Sequence, residues 1–160
     1  MKKIKIETTV DVFEKVDQLP ENFKNLIKMA HSAVSTAYAP YSKFYVGAAL
    51  LLENEEMLIG SNQENAAYSM CLCAERVALA AAASKYPGVA IKAIAVTAKS
   101  NKNRIDQPVS PCGACRQSLC ESELQHNTDL KIILQGETGP IYLFKTAKDL
   151  LPFSFDGSYL

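Results

Sequence analysis

Five short aliphatic segments interleaved with three segments of helical spacing predict an α/β protein, a three-layer α/β/α sandwich around a mixed sheet of five strands. Apolar residues three and four apart mark the helices, mostly apolar runs of four to eight mark the strands, and polar or Gly/Pro clusters separate them. With 160 residues and 48% hydrophobic content, the chain supports one well-packed core. Residues 21–160 are therefore read as a single domain and 1–20 as an N-terminal extension.

Within the extension Ile4, Ile6, Thr8, Val10 and Val12 alternate with other residues, a period of two that suggests an added strand or an extended arm. After Pro20, Phe23, Leu26, Ile27, Ala30, Ala33, Val34 and Ala37 lie along one helical stripe, which must end before Ala39-Pro40. Tyr45 to Leu52 and Glu56 to Gly60 read as a hairpin turning at Glu53-Asn54-Glu55. Ala74 to Lys85 is an alanine-dense helix ended by Tyr86-Pro87-Gly88, suited to close packing at the centre of the domain. Ile91 to Ala98 is apolar enough for an inner strand, and the polar Lys99 to Gln107 stretch is a loop. Gly113 to Leu124 is helical. Leu130 to Leu134 and Ile141 to Phe144 flank Gly136-Glu137-Thr138-Gly139 and should pair antiparallel at the sheet edge, before a short helix at Thr146 to Leu150.

Composition excludes several classes. Seventeen basic residues balance seventeen acidic ones, so the field that a polynucleotide binder uses against phosphates is missing and a small neutral ligand fits better. The longest apolar run, Val46 to Leu52, falls far short of the ~18 residues of a membrane span. Met1-Lys2-Lys3 leads into alternating residues instead of an apolar stretch, and five cysteines cannot all pair, which points to a reducing cytoplasm.

Those cysteines carry the chemistry. Cys73-Ala74-Glu75 and Pro111-Cys112-Gly113-Ala114-Cys115 offer three thiolates for one Zn²⁺ and a carboxylate that need not be a ligand. Three protein ligands leave a fourth tetrahedral position for water, the mark of a hydrolytic zinc centre, whereas a structural site is closed by four. The combination matches the all-cysteine form of the zinc nucleobase-deaminase signature. A closed site using Cys71 with Cys73, Cys112 and Cys115 is the competing reading. Against it, two positions along a helix start separate Cys71 from Cys73 by about 200° of arc, so Cys71, like Cys120, is expected to act as a small buried hydrophobe. Cys73, Cys112 and Cys115 all open helices, where amide donors and the positive helix end favour the thiolate. Three thiolates still outweigh one Zn²⁺ by a unit of charge. Arg76, three residues after Cys73 on the same helical face, is the candidate to compensate, with Arg116 next.

From about Glu21 to Phe155 the chain resembles the homotetrameric cytidine deaminase family of nucleoside salvage. Five ordered motifs carry the resemblance: Ala39-Pro40-Tyr41-Ser42-Lys43-Phe44-Tyr45-Val46-Gly47-Ala48-Ala49, Asn62-Gln63-Glu64-Asn65-Ala66, Cys73-Ala74-Glu75-Arg76, Pro111-Cys112-Gly113-Ala114-Cys115-Arg116-Gln117 and Leu150-Leu151-Pro152. It implies one Zn²⁺ per subunit on Cys73, Cys112 and Cys115, and Glu75 as a proton shuttle in hydrolysis of cytidine and deoxycytidine to uridine and deoxyuridine with release of ammonia. It further implies that Asn62 and Glu64 hold ribose hydroxyls, that Phe44 lies against the base, and that the Ala74 backbone with Glu75 reads the base edge. Phe155 matches an aromatic that family tetramers extend into a neighbouring subunit's site, while Phe153 and Tyr159 read as packing residues. Related deaminases acting on an aminonucleoside antibiotic or on polynucleotides share the zinc motif. The Asn62 and Glu64 pair favours a ribose over the first, and neutral charge disfavours the second.

Overall fold

The computed structural model describes the backbone of residues 1–160 and every side chain except that of Tyr159. Its strands are β1 (Asp11–Phe13), β2 (Phe44–Leu52), β3 (Met57–Ser61), β4 (Ile91–Ser100), β5 (Lys131–Gln135) and β6 (Ile141–Phe144). Three α-helices accompany them, α1 (Glu21–Ala33), α2 (Ala74–Lys85) and α3 (Gly113–His126). The strands form one sheet in the order β1-β6-β5-β4-β2-β3, with β4 and β5 parallel and every other pair antiparallel.

The sheet therefore has six strands where five were expected. The extra one is β1, from the alternating N-terminal segment, which pairs Asp11, Val12 and Phe13 with Leu143, Tyr142 and Ile141. The β5–β6 hairpin is consequently not the sheet edge, because three residues of β1 cover β6. Such a short terminal strand leaves few unpaired amides for another chain to pair with. Val10 packs on one face of the sheet, while Phe13, Val16 and Leu19 pack on the other, so the segment straps the β6 side.

Alternation along the strands builds two cores. Ala48, Leu50, Ile94, Val96, Ile132 and Leu134 face Ala74, Ala78 and Ala82 of α2 and Leu119 and Cys120 of α3. Their neighbours Ala49, Leu51, Ala93, Ala95 and Ile133 face Phe23, Leu26, Ile27 and Ala30 of α1. Each fully buried Leu or Ile contributes about 1.5–3 kcal/mol of transfer free energy, which is why the period-two pattern holds the register.

Several element ends moved. β4 runs on to Ser100 because its last residues pair with the start of β2, Phe44 with Ser100 and Tyr45 with Lys99. α3 continues to His126 and stops where Asn127 takes a left-handed conformation, φ 49°. The β2–β3 turn lies at the expected place, with Glu55 at φ 66°. At the other end of β3, a Cβ on Gly60 would sit 2.5 Å from both Ala74 O and Ala78 N. Only a glycine lets α2 come this close, and this contact brings the first turn of α2 beside the residues that follow β3.

Candidate functional site

The chain after β3 folds back along the start of α2. Gln63 pairs its backbone with Leu72 through reciprocal N–H to C=O bonds of 2.9 Å, and Glu64 N donates to Tyr38 O at 2.8 Å. Asn62, Gln63 and Glu64 thereby lie beside the residue that precedes Cys73.

Cys73 and Cys112 occupy the N-cap positions of α2 and α3, and Cys115 sits in the first turn of α3. Although Cys73 and Cys112 are 39 residues apart, their sulfurs approach to 3.8 Å, and Cys112 Sγ lies 3.5 Å from Cys115 Sγ. Among the described residues these three form the group able to hold a metal, all sulfurs lying within 4.8 Å of one another. Tetrahedral zinc with Zn–S bonds of about 2.3 Å spaces its sulfurs by about 3.8 Å, so the donor set fits that ion in type, number and spacing. Cys71 does not join them. Its sulfur accepts from Asn65 N at 3.2 Å and donates to Asn65 O at 3.6 Å, closing the 65–71 loop. Cys71 is half-buried and hydrogen-bonded, not the buried hydrophobe expected, and it precedes α2 instead of lying on it. Cys120 is fully buried, as anticipated.

Beside the sulfurs opens a cavity of about 450 Å³, lined by Phe44, Asn62, Glu64, Cys73, Ala74, Glu75 and Cys112 among others. Phe44 is pinned from both sides, its N–H donating to Ser42 Oγ at 3.0 Å and its carbonyl accepting from Asn62 Nδ2 at 3.0 Å. Asn62 Oδ1 accepts from Val46 N at 2.8 Å, so this amide is engaged with the β2 backbone at both ends. Glu64 uses Oε2 for Tyr41 N at 2.9 Å and Ser42 N at 3.3 Å. Glu75 is 4% exposed, at the floor of the cavity.

A protein-family model, the cytidine and deoxycytidylate deaminase zinc-binding region, matches residues 20–127. The chain belongs to this family. It is 45% identical to a cytidine deaminase of Sporosarcina psychrophila over 133 residues, 82% of this chain and 90% of that protein. It is also 43% identical to one of Halalkalibacterium halodurans over 130 residues, 81% and 91% of the two chains. The crystal structure of cytidine deaminase from Burkholderia pseudomallei superposes with a TM-score of 0.70 at 42% identity, covering 82% of this chain and 97% of that one. Family membership and the sulfur geometry together make this a zinc enzyme of the hydrolase class.

The carboxylate and thiols of this site carry perturbed acidities. Burial pushes the Glu75 carboxyl up, against hydrogen bonds from its own backbone and from Cys115 that pull it down. The Cys73 thiol is drawn down to about 6, first by its hydrogen bond with Cys115, against burial and the Glu75 charge. Cys115 moves the opposite way, raised first by that same bond and then by burial. The metal-free sulfurs thus share protons, which bound zinc displaces. Arg76 is half-buried on α2 and adds its positive charge to the influences lowering Cys73. Arg116 is committed elsewhere, donating from Nε to Pro111 O at 2.8 Å and from Nη1 to Leu150 O at 3.1 Å.

Phe155 is not on the wall of the cavity formed by this chain. It is exposed beside α3, where its carbonyl accepts from Gln117 Nε2 at 2.8 Å. Phe153 is exposed instead of packed, and the Tyr159 side chain lies outside the described ones. Sequence reasoning missed Ser42, Val109 and Ser110, which also line the cavity. Ser42 stood inside a quoted motif, but nothing in the composition of the 101–110 loop marks Val109 or Ser110. No helix is long and apolar enough to cross a membrane among the described residues.

Proposed function

We propose that this chain deaminates cytidine and deoxycytidine hydrolytically, giving uridine and deoxyuridine with release of ammonia, as a cytoplasmic step of pyrimidine salvage. The observation that carries the reading is Glu75, a buried carboxylate opening onto the same cavity as a three-sulfur site that leaves a metal coordination position for a non-protein ligand. The 45% identity with a cytidine deaminase supports the substrate.

Cys73, Cys112 and Cys115 hold the zinc, which when bound supplies Lewis-acid activation of water. Glu75 would take one proton from the attacking water and pass it to ring N3 as the oxygen bonds to C4, then carry the proton of the resulting 4-hydroxyl to the amino group as the C4–N bond breaks, so one carboxylate acts as base and acid. Burial holds its carboxyl above the usual carboxylate range, which makes it a better proton acceptor than an exposed glutamate. Phe44 offers a flat face to the pyrimidine, held in place by Ser42 and Asn62. Glu64 keeps Oε2 on the Tyr41–Ser42 backbone and turns its other oxygen to a ribose hydroxyl, with Asn62 beside it. The Ala74 backbone and Glu75 read the base edge. Arg76 offsets the excess thiolate charge. Among the described residues lining the cavity none is Lys or Arg, and Glu64 is anionic, which disfavours a phosphorylated substrate. Residues 1–20 form an extension to a domain of 21–160. That domain works as a homotetramer in which Phe155 reaches a neighbouring subunit's site.

Purified protein incubated separately with cytidine, deoxycytidine, adenosine and guanine, with and without a chelator, tests the reading. Chelator-sensitive ammonia release from the two cytosine nucleosides is expected. Release from adenosine or guanine alone would overturn it.

A further inference from the structure

One wall of the cavity belongs to neither the sheet nor the helices. The segment from Asn101 to Cys112 joins β4 to α3 without regular structure, yet Val109, Ser110 and Cys112 from it line the site. A loop of this length needs a fixed reference to hold a wall in place.

That reference is the β5–β6 turn. Ile105 O accepts from Glu137 N at 2.7 Å and from Thr138 N at 3.2 Å. Two glycines of the turn press against the same stretch. A Cβ on Gly136 would stand 2.6 Å from Ile105 O and 2.7 Å from Gln107 O, and one on Gly139 would stand 2.0 Å from Asp106 O. Three consecutive carbonyl-bearing residues are thus seated where no side chain fits. The turn is itself anchored to the sheet: Thr97, 1% exposed on β4, donates its hydroxyl to Gly136 O at 2.8 Å. Thr97 follows Val96, which lines the cavity. A continuous path runs from β4 through Thr97 and Gly136 to residues 105–107, and two positions further on to Val109.

We infer that Thr97, Gly136 and Gly139 are positioning residues for the reaction: through the β5–β6 turn they set where Val109 and Ser110 stand against the bound nucleoside. The inference rests on the proposed deaminase activity for its kinetic consequence, and on geometry alone for the buttress. Displacing a wall of the site weakens binding more than chemistry, since Glu75 and Cys115 lie within α2 and α3 and Cys73 caps α2.

Zinc-loaded full-length Gly139→Ala, Thr97→Val and Thr97→Ser decide it, with Gly88→Ala as control. Gly88 has a left-handed φ of 80° like the 91° of Gly139, but nothing lies within 4 Å of its Cβ position, so it reproduces backbone strain without touching the loop. Gly139→Ala and Thr97→Val should speed amide hydrogen exchange over residues 103–110 and raise KM for cytidine about tenfold, with kcat within about threefold of the parent. Thr97→Ser, which keeps the hydroxyl, and Gly88→Ala should match the parent in both. Unchanged exchange in Gly139→Ala and Thr97→Val refutes the buttress, and faster exchange with unchanged KM refutes its role at the substrate. A parent protein inactive on cytidine would refute the functional reading instead, and the exchange measurement would still judge the buttress.

Discussion

Replacing Glu75 by glutamine keeps the shape of a side chain that is 4% exposed and removes its capacity to carry a proton. Proton shuttling by a placed group is typically worth about 10²–10⁴ in rate, or about 2.7–5.4 kcal/mol at 1.36 kcal/mol per decade. Glu75→Gln should therefore lose that factor in kcat. Zinc should stay, because the three sulfurs hold it without the carboxylate. Stability adds a second expectation. Burial raises the Glu75 carboxyl above its unfolded value, so the metal-free folded state binds that proton more tightly and loses stability as pH rises past the unfolded value. Glutamine abolishes this dependence, and the Tm of the metal-free variant at pH 7 should equal or exceed that of the parent. The assays are ammonia release under saturating cytidine, zinc by atomic emission, and thermal melts of chelator-treated protein at pH 5 and 7. Zinc lost in step with activity would make Glu75 a structural residue and refute the argument, as would a kcat within tenfold of the parent.

Cys71→Ser should retain full zinc content by atomic emission, since that sulfur is occupied with Asn65, whereas Cys112→Ser should lose most of it. Glu64→Gln should raise KM for cytidine about tenfold with little change in kcat, because the charge-assisted bond proposed to a ribose hydroxyl would be replaced by a neutral one. The Glu64 carboxyl is held below its ordinary value by the Ser42 hydroxyl first and by the Tyr41 and Ser42 N–H groups. Its contribution to stability is complete above the unfolded value and lost as pH falls through the lower folded one. Acid melting of the parent should show this loss and Glu64→Gln should not. Gly60→Ala forces a Cβ to 2.5 Å from the α2 backbone and should cost about 1–3 kcal/mol, a fall of roughly 2–12 °C in Tm.

The three helices, the β2–β3 hairpin and the inner strand β4 could be read from the chain because each rests on local periodicity and local punctuation, which are properties of neighbours in sequence. The zinc ligands could be read for a related reason: Cys73-Ala74-Glu75 and Pro111-Cys112-Gly113-Ala114-Cys115 carry their chemistry in residue type and short spacing, and both stand at helix starts. Tertiary contact decided the rest. β1 exists as a strand because β6 offers it a free edge, which no window of sequence contains. The Asn62 amide is taken up by Phe44 and Val46, and Cys71 by Asn65, because folding placed those partners within bonding distance before any ligand competes. The wall formed by Val109 and Ser110 depends on glycines almost thirty residues later, and only the packed turn shows that they belong to one site. Periodicity encodes which residues turn inward, whereas the complementarity of surfaces that meet across the core determines what each inward group touches.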